Sequence, residues 1–376
     1  MKQLKRNHIV MLLFIVVLVA ITGCQGKEKE VASQTEELTT EKADKPSSSS
    51  ETAPTDAKVA DASQLPTGHT AKKLVIGFVD VTGTGLISDT LGIARDKGFV
   101  EEELSKLGVK PEFVAMTGAG PAINESLASN NLDVGFLGDV PAIIGKANGI
   151  DTQLISFSGL NNGASLIVHK GSGFTSVNDL KGKKISTQKG SYMHKVLIDI
   201  LTANHLTTDD IEFVNLNAQS SAEAFVTKNV DGIVVGGSTL SNLVEDGTGE
   251  VLVDYREHPE WECSSYGVAR TDYIKENPDV IKALLRALVR AQKLAIEDYT
   301  VLKDQWVSTG SSDSSYEYLF PKHDNYYEIK KTDQNIASGE KTIKFLLDNK
   351  LITSDFNFEE WVNSSFYEAA YSELGE

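Results

Sequence analysis

The sequence predicts an α/β fold with two parallel-type sheets covered by helices, and with two chain crossovers between the sheets that together form a hinge. The first observation is that short apolar runs, such as residues 134–137, end in a glycine turn and lead into a helical pattern. The second is that this strand–turn–helix unit recurs in both halves of the chain, which is typical of helix-covered parallel sheets. The third is that the pattern from Pro278 onwards is helical only, which indicates a covering layer.

Two strand–turn–helix units follow each other closely in the first half of the chain. Residues 113–116 form a predicted strand, residues 117–120 form the turn, and Pro121 begins a helix. Residues 134–137 repeat the arrangement, with Pro141 at the helix start. Proline is favoured there because its φ is already helical and its missing N–H would be unpaired anyway. Both turns should lie at the carboxyl ends of strands, where α/β sheets present helix N-termini to small ligands.

The composition limits the classes of function. A chain of 376 residues with 40% hydrophobic residues can bury a sizeable core and is expected to form about two domains. Its formal net charge of −17 argues against a nucleic-acid partner, which would require a basic face. The 7 histidines are scattered without metal-ligand spacing, and Gly83-Thr-Gly85 lacks the third glycine of a dinucleotide fingerprint. We therefore expect no metal and no cofactor.

The N-terminal 24 residues have the pattern of an export signal. Basic residues precede an apolar segment, residues 9–21, which is too short for an ordinary membrane-spanning helix. Its end, Ile21-Thr-Gly-Cys24, resembles the bacterial lipobox, in which the cysteine is lipidated and becomes the new N-terminus. The alternative is an ordinary signal peptide that carries a cysteine by accident. Residues 25–72 are rich in Glu, Lys, Ser and Thr and predict a disordered linker.

Several segments, in order along the chain, resemble the substrate-binding lipoproteins of ABC importers, and most closely the branch that binds aliphatic sulfonates, taurine and nitrate. They are residues 74–77, Gly118-Ala-Gly-Pro121, Leu132-Asp-Val-Gly-Phe-Leu-Gly-Asp139, residues 179–185 followed by Gly190-Ser191, and Asn277-Pro-Asp-Val280. The resemblance covers roughly residues 73–295. It implies a two-lobed periplasmic-binding-protein fold that closes over one small molecule and delivers it to a membrane permease.

This resemblance also implies a division of the chain and a set of partners. After the signal peptide (1–24) and the linker (25–72), residues 73–163 would form the first part of lobe 1, residues 164–262 lobe 2, and residues 263–376 the helical second part of lobe 1. The partners would be a small, anionic organic solute, an ABC permease and its ATPase. We expect a monomer, held on the extracytoplasmic face of the cell membrane by acyl chains on Cys24.

Carried over onto this chain, the resemblance implies a pocket formed by turns of both lobes. An anionic head would accept hydrogen bonds from backbone N–H groups at helix starts, helped by threonine and serine hydroxyls. On this basis Gly120→Val is expected to abolish ligand binding and to leave the unliganded protein folded. The ligand-binding residues predicted in this way are Asp80, Thr82, Thr117, Ala119, Gly120, Gly138, Asp139, Gly190, Ser191, Tyr192 and Ser238.

Two positions leave alternatives open. Asp139 is expected either to cap the helix that follows it or to contact a ligand amine, as in a taurine-like zwitterion. Many relatives carry a Trp-Asp-Pro-type segment after the strand equivalent to residues 232–235, whereas this chain has Gly236-Gly-Ser238. The smaller side chains are expected to enlarge the pocket there, so the departure bears on the ligand class.

Other functions are compatible with the same fold. It also hosts enzymes of thiamine-pyrimidine and menaquinone biosynthesis, and fold alone does not decide function. The export signal and the single cysteine that remains after lipidation, Cys263, argue against catalysis. A nitrate- or thiamine-precursor-binding protein, an aromatic-acid-binding protein and a surface adhesin or sensor are further alternatives.

Overall fold

A computed structural model describes residues 58–59, 73–80, 83–87, 89–157, 163–258, 261, 263–320 and 329–375. The predicted signal peptide, Cys24 and most of the predicted linker lie outside the described residues. Two linker residues, Lys58–Val59, form a short strand, β1. The structure therefore differs from the prediction of a disordered linker at this point.

The first sheet contains the strands β2 (Lys73–Val79), β3 (Lys110–Met116), β4 (Val134–Gly138), β5 (Thr152–Phe157) and β11 (Ser265–Arg270) together with β1. The strand order is β1-β3-β2-β4-β11-β5. The first four strands of this order are parallel, and β11 is antiparallel to both of its neighbours.

The second sheet contains β6 (Ser165–His169), β7 (Lys184–Thr187), β8 (Glu212–Asn215), β9 (Gly232–Val235) and β10 (Gly249–Val253). The order is β10-β6-β9-β7-β8, and β6 is antiparallel to both of its neighbours. The sheets are thus mixed, whereas the sequence predicted parallel-type sheets. The antiparallel strands β6 and β11 are the first strands that the chain forms after it passes from one sheet to the other. A parallel strand would require a preceding crossover helix packed on the same sheet, and the described residues before these two strands form none.

Helices cover both sheets. In chain order they are α1 (Thr90–Asp96), α2 (Phe99–Ser105), α3 (Ala119–Ala128), α4 (Asp139–Ala147), α5 (Tyr192–Ala203), α6 (Ala218–Val226), α7 (Gly237–Glu245), α8 (Thr271–Glu276), α9 (Pro278–Glu297), α10 (Thr300–Ser308), α11 (Asp313–Leu319), α12 (Asp333–Asp348), α13 (Phe358–Trp361) and α14 (Ser365–Leu374). None of the helices in the described ranges is both long enough and apolar enough to span a membrane.

Helix α9 holds the layer outside the first sheet together. It begins at Pro278 and buries an apolar stripe against α1, α2 and α14. On its outer side Arg286 and Arg290 each donate to the buried carboxylate of Glu103 on α2, both at 2.9 Å. The predicted helical tail does not cover the first sheet alone, because α11 packs against α7, which follows the second sheet's strand β9.

The starts of α3 and α4 lie against each other without room for a side chain. Gly120, in the first turn of α3, is buried, and a Cβ atom at this position would lie 2.4 Å from the Cβ and Cγ atoms of Pro141 in α4. The two prolines predicted to begin helices thus lie within the first turns of helices that start at Ala119 and Asp139. Even one methyl group at this position would overlap Pro141, so Gly120→Val is expected to disturb the α3–α4 contact as well as the cavity wall. That this variant stays folded without ligand remains a prediction.

We predict that Gly120→Ala lowers the free energy of unfolding by about 1–3 kcal/mol, because an overfilled contact forces the two helix starts apart. Glu125→Ala, on the exposed face of the same helix, is the matched control and should change stability by less than about 0.5 kcal/mol. Chemical denaturation of both variants measures the difference. Equal stability of Gly120→Ala and wild type would show that the α3–α4 contact is looser than described.

Candidate ligand-binding site

A cavity of about 530 Å³ lies between elements of the two sheets. This volume is in the range of small-molecule sites. The first sheet contributes the segments that follow β2 and β3, the end of β4 and the start of β11, and the second contributes the starts of α5 and α6. The floor is largely apolar and aromatic, formed by Phe78, Ile87, Phe136, Leu137, Pro141, Met193 and Tyr266.

Three helices begin at the cavity wall with unpaired backbone N–H groups. Within the described part of the chain, the first two N–H groups of α3, α5 and α6 have no hydrogen-bond partner. All of these residues line the cavity. Helix N-termini carry a partial positive charge, and their free N–H groups bind anions. The donors belong to Ala119 and Gly120, Tyr192 and Met193, and Ala218 and Gln219.

In α5 and α6, a side chain accepts only the third backbone N–H group of the helix. Ser191 Oγ accepts the His194 N–H at 3.3 Å, and Asn217 Oδ1 accepts the Ser220 N–H at 2.8 Å. These caps have the usual N-cap chemistry, which orders the helix start and leaves the first two donors unused. The Ser191 hydroxyl itself donates to the Gln188 carbonyl at 2.7 Å, so its proton is not available to a ligand in this arrangement.

Ala119 has a left-handed backbone conformation, with φ 56°. This conformation is unfavourable for a residue with a Cβ atom, by roughly 1–2 kcal/mol. Strained residues of this kind occur preferentially at functional sites, where the surrounding structure holds them. At Ala119 the strain accompanies the turn from β3 into α3, which brings two amides to the cavity wall.

Asp80 organises the loop after β2. Its side chain is buried, and its two carboxylate oxygens accept the N–H groups of Gly83 at 2.8 Å and Gly85 at 2.9 Å. Both glycines have positive φ values, of 70° and 71°. The predicted ligand residue Asp80 therefore lines the cavity, while its oxygens are engaged by its own loop.

The start of α4 does not offer free amides in the same way. The Asp139 N–H donates to the Ser264 carbonyl at 2.9 Å, and the Asp139 carboxylate accepts the Val140 N–H at 2.7 Å and the Thr342 hydroxyl at 3.3 Å. Asp139 is fully buried and does not line the cavity. Burial raises the pKa of Asp139, and the Lys195 ammonium opposes that shift. The sequence leaves two roles open for Asp139. These contacts agree with the structural role at the helix start, and they do not agree with a contact to a ligand amine.

The structure brings most of the predicted site residues together. Those that line the cavity are Asp80, Thr117, Ala119, Gly120, Gly138, Ser191 and Tyr192. Asp139, Gly190 and Ser238 are not among the lining residues, and Thr82 lies outside the described residues.

The prediction of an enlarged pocket at Gly236-Gly-Ser238 is also not what the structure shows. These residues do not line the cavity, and α7 begins at Gly237. A Cβ atom on Gly236 would lie 2.3 Å from the Gly163 carbonyl oxygen and 2.8 Å from the Tyr192 hydroxyl oxygen. Glycine therefore allows the turn between β9 and α7 to approach the segment that leads from β5 to β6, and Tyr192 occupies the adjoining space.

Among the lining residues that sequence reasoning missed are Asp89, the segment 217–219 and the segment 264–266. Asn217 has a usable signal, since an Asn before Ala-Gln-Ser is a good N-cap, and it caps α6 in the structure. Asp89 has the same signal, because its side chain accepts the Leu91 and Gly92 N–H groups at the start of α1.

The described residues contain no group of His, Cys, Asp and Glu side chains that could hold a metal ion. Cys263 is fully buried and does not line the cavity. No histidine or cysteine is among the described lining residues. The cavity wall presents backbone N–H donors, hydroxyl groups, aromatic side chains and two carboxylates to a ligand. These groups suit the binding of a small molecule.

Comparisons with known proteins identify the family and the fold. The family model described as NMT1/THI5 like matches residues 90–299. A putative aliphatic sulfonates-binding protein of Bacillus subtilis is 28% identical over 284 residues, covering 75% of this chain and 84% of that protein. The structure of the putative sulfonate ABC transporter periplasmic sulfonate-binding protein SsuA from Methylobacillus flagellatus is similar with a TM-score of 0.68 and 26% identity, covering 81% of this chain and 95% of that chain.

The same fold also occurs in an enzyme. The desulfurization enzyme DszB is similar with a TM-score of 0.65 and 16% identity, covering 80% of this chain and 99% of that chain. At this level of identity the likeness concerns the fold alone. The similarity to the two solved structures, the Methylobacillus protein and DszB, agrees with the α/β, two-lobed architecture.

We predict that acid destabilises the protein through His194. Burial lowers the pKa of His194 to about 4, with a further contribution from Lys189, and the His194 Nδ1 accepts the Gly190 N–H at 3.4 Å next to the cavity. An unfolded histidine has a pKa near ~6.5, so between about pH 6.5 and 4 the unfolded state binds more protons. The free energy of unfolding should be unaffected by this group above about pH 6.5 and should fall by up to about 3 kcal/mol towards pH 4.

His194→Gln is the matched variant, because it keeps a polar side chain and removes the titration. Denaturant unfolding at intervals from pH 7.5 to 4 should show a smaller decrease for His194→Gln than for wild type. Parallel pH profiles of the two proteins would contradict the assignment.

Proposed function

This chain belongs to the NMT1/THI5-like family, and from that premise we propose that it is an extracytoplasmic solute-binding protein of an ABC importer. Its ligand would be a small organic solute with a sulfonate-like anionic head, captured between two lobes and delivered to a membrane permease with its ATPase. The Bacillus and Methylobacillus relatives, by their names, bind sulfonates, and the alignment with each extends over most of its length.

The observation that carries this proposal is the convergence of three helix starts with unpaired N–H groups on one cavity. α3 belongs to the first sheet's side and α5 and α6 to the second's, so a single anionic group would bridge the two. A tetrahedral head with three oxygen atoms suits several donors that arrive from different directions. Ligand binding would then favour the closed arrangement through its better affinity for it.

The lobe boundaries are part of the proposal. We infer lobe 1 from residues 73–163 and 263–376 and lobe 2 from residues 164–262. The chain passes from the first sheet to the second between β5 and β6, and returns between β10 and β11, which supports these limits. Residues 1–24 would be the lipoprotein signal peptide, and acyl chains on Cys24 would hold a monomer at the outer face of the cell membrane.

The side chains of the cavity support binding of the solute without its chemical conversion. A catalyst of the type found in the same fold would require reactive side chains in contact with the substrate. In the described part of the chain, neither a cysteine nor a histidine side chain lines the cavity. Incubation with sulfonates and sulfinates, followed by mass spectrometry, should recover each compound unchanged; release of sulfite would overturn this part of the proposal.

We predict that Ala218→Pro weakens binding of an alkanesulfonate by about tenfold to a hundredfold, because it removes one backbone donor to a charged group. Ala218 is the first residue of α6, where proline is well tolerated, and the preceding Asn217 has φ −66° and ψ 170°, which suits a residue before proline. The helix and its cap should therefore remain.

The matched control is Asp333→Pro, at the equivalent first position of α12, which begins outside the cavity after Thr332 in a similarly extended conformation. Isothermal titration calorimetry of the full chain with ethanesulfonate and butanesulfonate measures the effect. Unchanged affinity in Ala218→Pro, with binding in wild type, would remove α6 from the site. Failure of wild type to bind any sulfonate would contradict the proposed ligand class.

A further inference from the structure

The loop that follows β2 forms one side of the cavity wall. We define the cavity loop as residues 83–87 and 89, several of which line the cavity. Its first half is held by Asp80, whose carboxylate accepts the N–H groups of Gly83 and Gly85. Its second half has a different support, which comes from a helix 218 residues later in the chain.

Gln305 on α10 supports the second half of the cavity loop. Its Nε2 donates to the Ile87 carbonyl at 2.6 Å and to the Asp96 carboxylate on α1 at 2.7 Å. The same carbonyl lies against Gly92 of α1, where a Cβ atom would be 2.1 Å from the Ile87 oxygen. Ile87 and Gln305 are both buried, and Ile87 lines the cavity whereas Gln305 does not. Gln305 thus fixes the position of a wall residue without reaching the cavity itself.

The next residue along α10 contacts the side of the second sheet. Trp306 Nε1 donates to the Ser315 hydroxyl on α11 at 2.7 Å, and the Trp306 ring lies 3.8 Å from the place that a Cβ atom of Gly237, at the start of α7, would occupy. Helix α11 packs against α7, and the Ser312 hydroxyl donates to the Glu245 carboxylate at 3.2 Å. Adjacent residues of α10 therefore contact elements that belong to different sheets.

Apolar packing joins the same helices. Helix α10 packs against α1 and α11, α11 packs against α7, and all four helices contribute to one cluster of buried side chains. Its members in these helices include Leu91, Ile93, Leu302, Trp306, Tyr316, Leu319, Leu240 and Leu243. A well-packed cluster has few alternative arrangements, so a movement of α7 requires α11 and α10 to move or to repack.

Helix α11 also holds the chain segment that returns to the first sheet. The Arg256 guanidinium donates to the Tyr318 carbonyl at 2.8 Å and lies 4.4 Å from the centre of the Tyr318 ring. Arg256 belongs to the segment between β10 and β11. The pair α10–α11 is therefore in contact with the cavity loop, with α7 and with one of the two crossovers.

We propose that residues 300–319, which form α10 and α11, are a strap between the two lobes, and that Gln305 is the positioning residue through which this strap fixes the cavity loop. The inference deepens the proposed function and rests on it for the role of the cavity. The two crossovers form the hinge, and the strap adds a third connection that ends at the cavity wall. A movement of lobe 2 at α7 then changes the support of Ile87, so that ligand affinity depends in part on residues that do not contact the ligand.

The first test separates positioning of the loop from general stability and uses no ligand. Gln305→Met keeps the length of the side chain and removes its two hydrogen bonds. Gln292→Met is the matched control, since Gln292 on α9 is similarly buried and accepts the hydroxyl of Tyr371 on α14.

Hydrogen exchange of the unliganded full chain, measured by mass spectrometry at pH 7.5, should become about tenfold or more faster over the cavity loop in Gln305→Met, because the loop loses a buried donor. The control should leave this exchange within about twofold of the wild-type rate. Unchanged exchange of the loop in Gln305→Met, or an equal increase in Gln292→Met, would overturn the inference.

The second test measures affinity for butanesulfonate by calorimetry. Trp306→Phe keeps an aromatic ring and removes the donor to Ser315, so that α11 is held less firmly to α10. Affinity should fall about fivefold in Gln305→Met and about threefold in Trp306→Phe, because a looser strap lowers the population of the binding-competent arrangement. Trp361→Phe is the matched control, since its indole donates to the Thr152 carbonyl of the first sheet at 3.0 Å.

Unchanged affinity in Trp306→Phe, or an equal loss of affinity in Trp361→Phe, would overturn the strap. Failure of the wild-type protein to bind butanesulfonate would contradict the proposed function instead. In that case the exchange of the unliganded cavity loop decides the inference by itself.

Discussion

The structure depends on a property of every α-helix: its first N–H groups have no carbonyl partner within the helix. At some helices of this protein, side chains or neighbouring carbonyls supply that partner. At α4, for example, the Ser264 carbonyl and the Asp139 carboxylate take the first two donors. At α3, α5 and α6 the first two donors remain without partners in the described structure, and all three helices begin at one cavity. These three helix starts stand out because their free donors line the same cavity.

This use of backbone donors reconciles the site with the charge of the chain. A protein with a net charge of −17 would repel an anion at long range, but dipoles at helix ends act within a few ångströms and can reverse the local potential. In the proposed site the backbone amides attract the anion, so that no basic side chain has to be desolvated in the cavity. Two carboxylates, those of Asp80 and Asp89, also line this wall, and each accepts two backbone N–H groups of its own segment.

The buried polar groups behind the cavity connect the two halves of the fold. Lys195, on α5, is almost fully buried and pairs with Asp199 at 3.2 Å, while its ammonium lies 5.7 Å from the centre of the Phe345 ring on α12. It is also close enough to Asp139 on α4 to act on the ionisation of that carboxyl. A buried cation with partners on both sides is costly to leave unpaired, so these contacts restrict how the second sheet's helices can move against the first sheet's.

The sequence by itself determined the local units. Apolar runs, glycine turns and prolines at helix starts specified strands and helices close to those observed, because these signals act within a few residues. It also indicated the turn Thr117–Gly120 and Tyr192 as parts of a cleft. Tertiary structure decided what local signals do not contain. It decided the antiparallel direction of β6 and β11, the burial of Asp139 behind the cavity, the close approach of Gly120 to Pro141, and the presence of Asp89 and α6 at the wall. In each case the outcome depends on which distant segment lies opposite, and a residue's own neighbours in sequence do not fix that contact.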